Sequence, residues 1–405
     1  MPWPIKKLGE VARIEGGGTP STKNPLFWNG DIPWLTPKEL SDFRDKEIND
    51  TERKITKAGL ERTRLFPAGT VLFSSRAPIG YIAIAGIQMA TNQGFKNFIC
   101  NEKILTNGFL YYFLRFRTKF LQSLGRGATF TEISRDILSK VEISVPPLAT
   151  QKQIVERLDK IAKAQKLNDG LIQKTDELFQ SLLHKELNPV RDSKHSNGVN
   201  PAGPADAKAM AGKKNWEIKK MVDLINPQYG YTTSAKDSGN YRFIRITDIG
   251  NEGELRDSDK KYVTISQDEA KSYQLRNGDL LLARTGATFG KILYFEEGEP
   301  AIFASFLIRL NPNTSIDPFY IWLFSRSQDY WQQAKSLMTG SGQPQFNANK
   351  LKQIKIPLPP LEIQKQIVAK LSAVQNYKKQ LLEQKAKLKE LFDSALSKSM
   401  TQRPH

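Results

Sequence analysis

Residues Leu138–Leu158 read LSKVEISVPPLATQKQIVERL, and residues Leu351–Leu371 read LKQIKIPLPPLEIQKQIVAKL. The two stretches lie far apart in the chain, yet 11 of their 21 positions are identical. In each copy a short alternating apolar segment predicts a β-strand. The Pro-Pro that follows predicts a helix start, because proline is tolerated in the first turn of a helix. A repeat of such long period indicates two similar units in tandem, each a globular part followed by a long helix.

The beginnings of the two units support this division. Trp3-Pro-Ile-Lys-Lys matches Trp216-Glu-Ile-Lys-Lys, and these two segments are separated by the same distance along the chain as the two repeats. Between the two units lies a stretch rich in Gly, Pro, Ala and Ser with almost no large apolar residues, which predicts a linker. The sequence therefore predicts an α+β fold with these segments: globular domain 1–148, helix 149–188, linker 189–213, globular domain 214–361 and helix 362–400.

Both long helices carry apolar residues at alternating spacings of three and four, the spacing of a coiled-coil seam. The predicted seam residues are Ile154, Leu158, Ile161, Ile172 and Phe179 in the first helix and Ile367, Leu371, Val374, Leu381, Leu388 and Phe392 in the second. Two helices in this order can pair antiparallel with approximate twofold symmetry. The alternative is that each helix packs only on its own globular domain.

The charge of the chain indicates a polyanionic partner. Its 405 residues include 60 Lys and Arg against 42 Asp and Glu, which gives a net charge of +18. Nucleic acid is the most common partner of so basic a protein. An ordinary basic protein without such a partner is the alternative.

Three features of the sequence predict the cellular compartment. The single cysteine, Cys100, allows no internal disulfide and fits a reducing environment. The start of the chain, MPWPIKKLGEV, has no apolar signal segment. The apolar run near Tyr81–Ala90 is too short to cross a bilayer. These features predict a cytoplasmic protein without a membrane segment.

No set of catalytic residues is recognisable, so the sequence predicts a binding protein rather than an enzyme. The histidines His184, His195 and His405 form no metal-binding pattern with Cys100. Gly286-Ala-Thr-Phe-Gly-Lys-Ile is one residue too short for a phosphate-binding loop and lacks its Ser or Thr. Asn226-Pro-Gln-Tyr differs from the Asn-Pro-Pro-Tyr of adenine methyltransferases at its third residue. We therefore expect neither a metal nor a cofactor in this chain.

The whole pattern resembles one family, the DNA specificity subunits of type I restriction-modification systems. The marks of the resemblance are the repeated helix starts, Pro146-Pro147-Leu148 with Gln151 and Ile154, and Pro359-Pro360-Leu361 with Gln364 and Ile367. Gly17-Gly-Thr-Pro-Ser together with Ile32-Pro-Trp-Leu-Thr-Pro is typical of one class of target-recognition domain in that family.

The resemblance implies that each globular domain is a target-recognition domain that reads one half of an asymmetric, bipartite target in double-stranded DNA. The two helices would pair antiparallel, set the unread gap and dock two methyltransferase (modification) subunits. S-adenosylmethionine would be bound in those subunits, and ATP and magnesium in translocase-nuclease (restriction) subunits. This chain itself would be non-catalytic.

Within such domains, phosphates are contacted by Lys and Arg, and base edges by Arg, Asn, Gln, Ser and Thr on loops. Trp34 and Trp216 are expected in the core instead. The predicted DNA-binding residues are Thr19, Ser21, Lys23, Lys38, Arg76, Arg126 and Thr129 in the first domain and Thr232, Ser234, Arg245, Arg284, Thr288, Gln343 and Gln345 in the second.

Two other classes of protein remain as alternatives. A fused methyltransferase is disfavoured because the cofactor and catalytic motifs are missing. A coiled-coil scaffold with basic domains would bind DNA without sequence preference.

Overall fold

The described part of the chain comprises residues 3–125, 132–187, 216–250, 252–296, 298–338 and 345–401 of a computed structural model. It forms two units. The first unit combines Met1–Asp169 with Glu383–His405, and the second is Gly170–Leu382. The predicted linker 189–213 lies outside the described residues.

The globular part of the first unit is built mainly from short strands. A five-stranded sheet has the order β2-β10-β7-β8-β4, a four-stranded sheet has the order β5-β3-β9-β6, and β1 pairs with β11. The strands are β1 (Ile5–Lys7), β2 (Ala12–Gly16), β3 (Trp28–Leu35), β4 (Glu47–Ile48), β5 (Lys54–Ile55), β6 (Leu65–Phe66), β7 (Val71–Ser74), β8 (Ile82–Ala85), β9 (Met89–Thr91), β10 (Phe95–Cys100) and β11 (Glu142–Ser144). The helices are α1 (Leu8–Val11), α2 (Lys57–Leu60), α3 (Asn107–Ser123), α4 (Arg135–Ser139) and the long α5 (Leu148–Leu187).

The globular part of the second unit repeats this plan. Its sheets have the orders β13-β19-β16-β17 and β15-β14-β18, and β12 pairs with β20. The strands are β12 (Glu217–Lys220), β13 (Gln228–Tyr229), β14 (Tyr241–Ile244), β15 (Tyr262–Val263), β16 (Leu280–Ala283), β17 (Ile292–Tyr294), β18 (Ala301–Phe303), β19 (Leu307–Arg309) and β20 (Lys355–Leu358). The helices are α6 (Gln267–Ala270), α7 (Pro318–Phe324), α8 (Gln328–Leu337), α9 (Ala348–Leu351) and the long α10 (Leu361–Thr401).

The strand predicted in front of each Pro-Pro is present in both units. In the first unit β11 pairs antiparallel with β1, and in the second β20 pairs antiparallel with β12. The start of each globular part is therefore hydrogen-bonded to the strand that leads into its long helix. This strand pairing accounts for the sequence similarity both at the start of each globular part and at the strand before each Pro-Pro.

The aromatic-rich segments before the repeat, Phe109–Leu124 and Phe319–Leu337, each predict one helix, but the two units differ here. In the first unit the helix is continuous, as α3. In the second the predicted single helix, Phe319–Leu337, is wrong, because residues 325–327 separate α7 from α8. The hydroxyl of Ser327 accepts a hydrogen bond from the N–H of Tyr330 at 3.2 Å and so starts a new helix.

Both long helices contribute to the core of each unit. In the first unit, Leu158 and Ile161 of α5 share a core cluster with Phe392 and Ala395 of α10. In the second, Phe179 of α5 lies in one cluster with Ile367 and Leu371 of α10. Every predicted seam residue is buried or half-buried. The boundary between the two units therefore falls within each of the two long helices.

Candidate nucleic-acid interface

Four loops of the first unit are joined by main-chain hydrogen bonds at one edge of its sheets. The N–H of Gly18 donates to Thr91 O (2.9 Å), that of Asn92 to Leu35 O (3.0 Å) and that of Ser75 to Gly94 O (2.8 Å). We call this edge the first rim, which comprises Gly16–Ser21, Thr36–Lys38, Ser75–Arg76 and Thr91–Gly94. These three hydrogen bonds involve only main-chain atoms, so they do not depend on which side chains the rim presents.

The glycine-rich loop of the first rim is fixed by close packing and by two indoles. A Cβ atom at Gly17 would lie 2.2 Å from Asn92 O, so only glycine fits. The buried Trp34 donates its indole N–H to Gly18 O (2.9 Å), and Trp28 donates to Ser21 O (3.1 Å). Trp34 thus lies in the core, as expected, and its indole hydrogen bond holds the glycine-rich loop in place.

The second unit builds the same arrangement from different residues. The N–H of Tyr231 donates to Phe303 O (2.8 Å), that of Ala304 to Ile244 O (2.9 Å) and that of Arg284 to Phe306 O (3.2 Å). A Cβ atom at Gly230 would lie 2.3 Å from Ala304 O, as at Gly17. The second rim comprises Tyr229–Thr232, Arg245–Thr247, Arg284–Thr285 and Phe303–Phe306.

Strand register shows which residues of the two rims are equivalent. Ser74 pairs with Phe95 in the first unit, and Ala283 pairs with Leu307 in the second. Ser75 and Arg284, the residues that follow Ser74 and Ala283, are therefore equivalent. Arg76 corresponds instead to Thr285, since these two form the equivalent bridges to Glu132 and Gln345. By the same register Gly16 corresponds to Tyr229 and Gly94 to Phe306.

The first rim brings together four of the predicted DNA-binding residues. Thr19, Ser21 and Lys38 are exposed there, and the hydroxyl of Thr19 donates to the side-chain oxygen of Gln93. Arg76 is the fourth. Lys23 follows the rim and is also exposed. Arg126 and Thr129 lie outside the described residues.

Arg76 is held by a carboxylate. Its guanidinium lies 2.7 Å from Glu132, whose other oxygen lies 2.9 Å from the ammonium of Lys96. Burial raises the pKa of Glu132, but hydrogen bonds from Arg76 and Lys96 outweigh it and keep that pKa below its ordinary value. Arg76 therefore serves first to fix the rim, and its charge is largely compensated.

The predicted residues of the second unit fall into two groups. Thr232, Ser234 and Gln345 are exposed, and Thr288 is half-buried. Gln343 lies outside the described residues. The other two are arginines with contrasting partners.

Arg245 is occupied within the protein. It lies 2.7 Å from Asp248 and 3.3 Å from Asp259. The hydrogen bond to Asp248 is the main cause that raises the pKa of Arg245 above its ordinary value. The guanidinium carbon of Arg284 instead lies 5.3 Å from the ring centroid of Tyr229 and 5.2 Å from that of Phe306.

The reasoning from sequence missed Tyr229 and Phe306. Tyr229 was considered only as the last residue of the methyltransferase-like Asn-Pro-Gln-Tyr. The sequence does place Tyr229 in the second rim, because Tyr229 and Gly230 follow Gly16 and Gly17 at the same separation as the two repeats. Phe306 gives no such signal, since insertions and deletions between the units change its separation from Gly94.

Within the described ranges, no group of His, Cys, Asp and Glu could hold a metal ion. The helices described there include none that is long and apolar enough to cross a membrane. The chemistry that both rims offer is hydrogen bonding and positive charge.

Comparisons with known proteins agree with this arrangement. The type I restriction enzyme MjaIX specificity subunit of Methanocaldococcus jannaschii is 32% identical over 258 residues, which cover 60% of this chain and 57% of that relative. The MjaVIII specificity subunit of the same organism is 24% identical over 414 residues, covering 98% of this chain and 91% of the relative.

A solved structure has a similar fold. The crystal structure of a type I restriction-modification system S subunit from M. genitalium superimposes with a TM-score of 0.63 at 15% identity, covering 99% of this chain and 97% of that one. The family model "Type I restriction modification DNA specificity domain" matches residues 1–175 and 213–390. Because this match includes both units, the chain belongs to the family of type I restriction-modification DNA specificity domain proteins.

Proposed function

We propose that this chain is the specificity subunit of a type I restriction-modification complex. Each globular domain reads one half of an asymmetric, bipartite target in double-stranded DNA. The observation that carries the proposal is the rim: one backbone arrangement is built twice and presents different side chains each time. A shared frame with unlike surfaces is what two readers of unlike half-sites require.

The charges of the chain fit this role. Exposed lysines such as Lys23 and Lys38 can neutralise phosphates, which supplies affinity without sequence preference. Exposed Thr, Ser and Gln side chains at the rims can pair with base edges, which supplies specificity.

We further propose that α5 and α10 pair as an antiparallel coiled coil that sets the unread gap. In the first unit Asp169 lies 2.9 Å from Lys385, and the side chain of Gln165 donates to Leu388 O at 3.1 Å. In the second, Asp176 lies 2.6 Å from Lys378 and Glu186 lies 2.5 Å from Lys370. In both units the residue number falls on α5 as it rises on α10, which supports the antiparallel direction.

The same helices are the proposed docking site for two methyltransferase subunits, which bind S-adenosylmethionine. The described surface of α5 leaves Leu167, Leu171 and Leu178 exposed, and α10 leaves Tyr377 and Leu382 exposed. Exposed apolar side chains on a helix favour contact with another protein. ATP and magnesium belong to the restriction subunits, and the assembly works in the cytoplasm.

Methylation mapping tests the proposal. The full chain is co-expressed with the methyltransferase subunit of its own system, and methylated sites are mapped across a genome. The chain alone is expected to methylate nothing, and the pair to methylate one bipartite sequence. Methylation or DNA binding without sequence preference would favour the scaffold alternative and overturn the proposal.

A domain exchange tests the division into two readers at the proposed boundaries 1–148 and 214–361. Replacing residues 3–130 by the corresponding region of a family member should change one half-site and leave the other intact. A simultaneous change of both halves would contradict one reader per half-site.

A further inference from the structure

The main chain of Arg284 is fixed on both sides at the end of β16. Its N–H donates to Phe306 O at 3.2 Å, and its carbonyl oxygen accepts from the N–H of Phe346 at 2.7 Å. The Cα–Cβ direction of this arginine is therefore set by two neighbouring segments.

The side chain is held by aromatic rings. The guanidinium carbon lies 5.3 Å from the ring centroid of Tyr229 and 5.2 Å from that of Phe306. Tyr229 and Phe306 are 44% and 50% exposed, so these residues form part of the protein surface. Cation–π contact with two rings limits the movement of the guanidinium while it keeps its charge.

Arg284 has no compensating carboxylate in the part of the chain that the structure describes. Arg242 lies 2.6 Å from Asp257, and Arg309 lies 3.3 Å from Asp279. By contrast, no ion pair involves Arg284, and its buried Nε atom has no hydrogen-bond partner among the described residues. Because Nε is buried, a ligand would reach the guanidinium through its two terminal nitrogens.

We propose that Arg284 reads a guanine in the second half of the target, with Tyr229 and Phe306 as positioning residues. This inference rests on the proposed function, since it assigns one contact within the second reader. Two parallel N–H groups match the O6 and N7 acceptors at the major-groove edge of guanine. A phosphate fits less well, because its strongly hydrated charge would have to be placed beside two aromatic rings.

The first rim offers no such group at the same place. Its counterparts of Tyr229, Arg284 and Phe306 are Gly16, Ser75 and Gly94, so three large side chains are replaced by three small ones. Arg76, one residue further on, is paired with Glu132. The guanine contact is therefore confined to the second half-site.

The test uses the full chain in complex with its methyltransferase subunit and a library of DNA targets. Arg284→Lys keeps the charge but removes the planar fork, and Arg284→Ser introduces the first-rim counterpart. Both should lose the preference for guanine at one position of the second half-site, on the order of 5- to 150-fold. Phe306→Leu should cause a smaller loss at the same position. All positions of the first half-site should be unchanged.

Arg276→Lys is the matched control, because Arg276 is exposed and precedes β16 at the end of the strand opposite to Arg284. It should leave every position unchanged. If thermal denaturation shows that the Arg284→Ser variant is not folded, the guanine preference of the Arg284→Lys variant alone tests the proposal.

Three results would overturn the inference while leaving the proposed function intact. They are a wild-type second half-site without guanine, an Arg284→Lys variant with unchanged preference, and an equal loss of affinity for all sequences, which would indicate a phosphate contact. A wild-type complex without any sequence preference would instead overturn the proposed function itself.

Discussion

Gln151 and Gln364 make the same three kinds of hydrogen bond, although they belong to different copies of the repeat. The side-chain oxygen of Gln151 accepts from the N–H of Thr106 at 2.8 Å, and its amide nitrogen donates to Ile104 O (2.8 Å) and Pro146 O (2.9 Å). The glutamine of the repeat thus ties the start of α5 to the start of α3.

In the second unit Gln364 accepts from the N–H of Asp317 at 2.8 Å and donates to Ser315 O (3.1 Å) and Pro359 O (2.8 Å). Asp317 is the N-cap of α7, as Thr106 is of α3. Both glutamines are fully buried. An amide suits this place because it accepts one bond and donates two.

Gln364→Glu should therefore destabilise the protein at pH 7. It would place a carboxylate oxygen against two carbonyl oxygens in a buried site, at a cost of about 3 kcal/mol. Gln384→Glu, the same change at an exposed position of α10, is the control and should have little effect. Urea unfolding of the full chain measures both, and equal stability of the two variants would contradict this role for Gln364.

Leu158→Ala and Leu371→Ala should destabilise the two units to a similar degree. Both leucines are fully buried at equivalent positions of the long helices, so each change should cost about 2–5 kcal/mol. Leu167→Ala is the matched control on α5, because Leu167 is 61% exposed. That variant should unfold like the wild type but bind the methyltransferase subunit more weakly, which a pull-down with the purified subunit measures.

Glu132→Gln should reveal a pH-dependent contribution to stability. A carboxyl group whose pKa is lowered by folding stabilises the protein above its unfolded pKa. The difference between wild type and variant should be about 1 kcal/mol at pH 7, since the site is partly exposed. It should begin to fall below pH 4.5, the ordinary pKa of a glutamate, and vanish as the pH passes the lower pKa of the folded state.

Thermal or urea unfolding from pH 7 to pH 3 provides this measurement. Glu102→Gln, a change at an exposed glutamate of the same unit, should show no comparable dependence. A constant difference between wild type and Glu132→Gln over the whole range would rule out the pair with Arg76 and Lys96 as its source.

Lys38→Ala should weaken DNA binding without altering the recognised sequence. Loss of one phosphate contact should reduce the slope of log K against log salt concentration by about 0.9. Lys103→Ala is the control, because Lys103 is exposed beyond the end of β10 that is distant from the rim. Binding titrations at several salt concentrations distinguish the two, and an unchanged slope for Lys38→Ala would exclude that contact.

The repeated element could be predicted well because its signals are local. Pro-Pro and the apolar spacing predicted a long helix at 149–188, and the described α5 is Leu148–Leu187. The two units could not be predicted in this way. Each long helix is shared between the two units, and the point of division depends on tertiary contacts. One such contact joins Phe392 of α10 and Tyr112 of α3.

The rims were not predicted as assemblies of loops. In the sequence Gly17 belongs to a motif of the resemblance, and its close approach to Asn92 is evident only in the structure. The partners of the arginines were not predictable, because Glu132 is 56 residues from Arg76 and the rings near Arg284 belong to two other segments of the chain. Sequence identified the residue types, and the tertiary fold decided which charges were compensated.

The C-terminal part of α10 belongs to the first unit, and this has a consequence for synthesis on the ribosome. Phe392, Ala395 and Leu396 complete the first core, yet they follow the whole of Gly170–Leu382 in the chain. Domains generally fold as they emerge, N-terminal first. Here the first unit cannot be completed until the end of the chain has been made, although most of its residues are made first. A chain released early at residue 382 would therefore carry a finished second reader beside an unfinished first one.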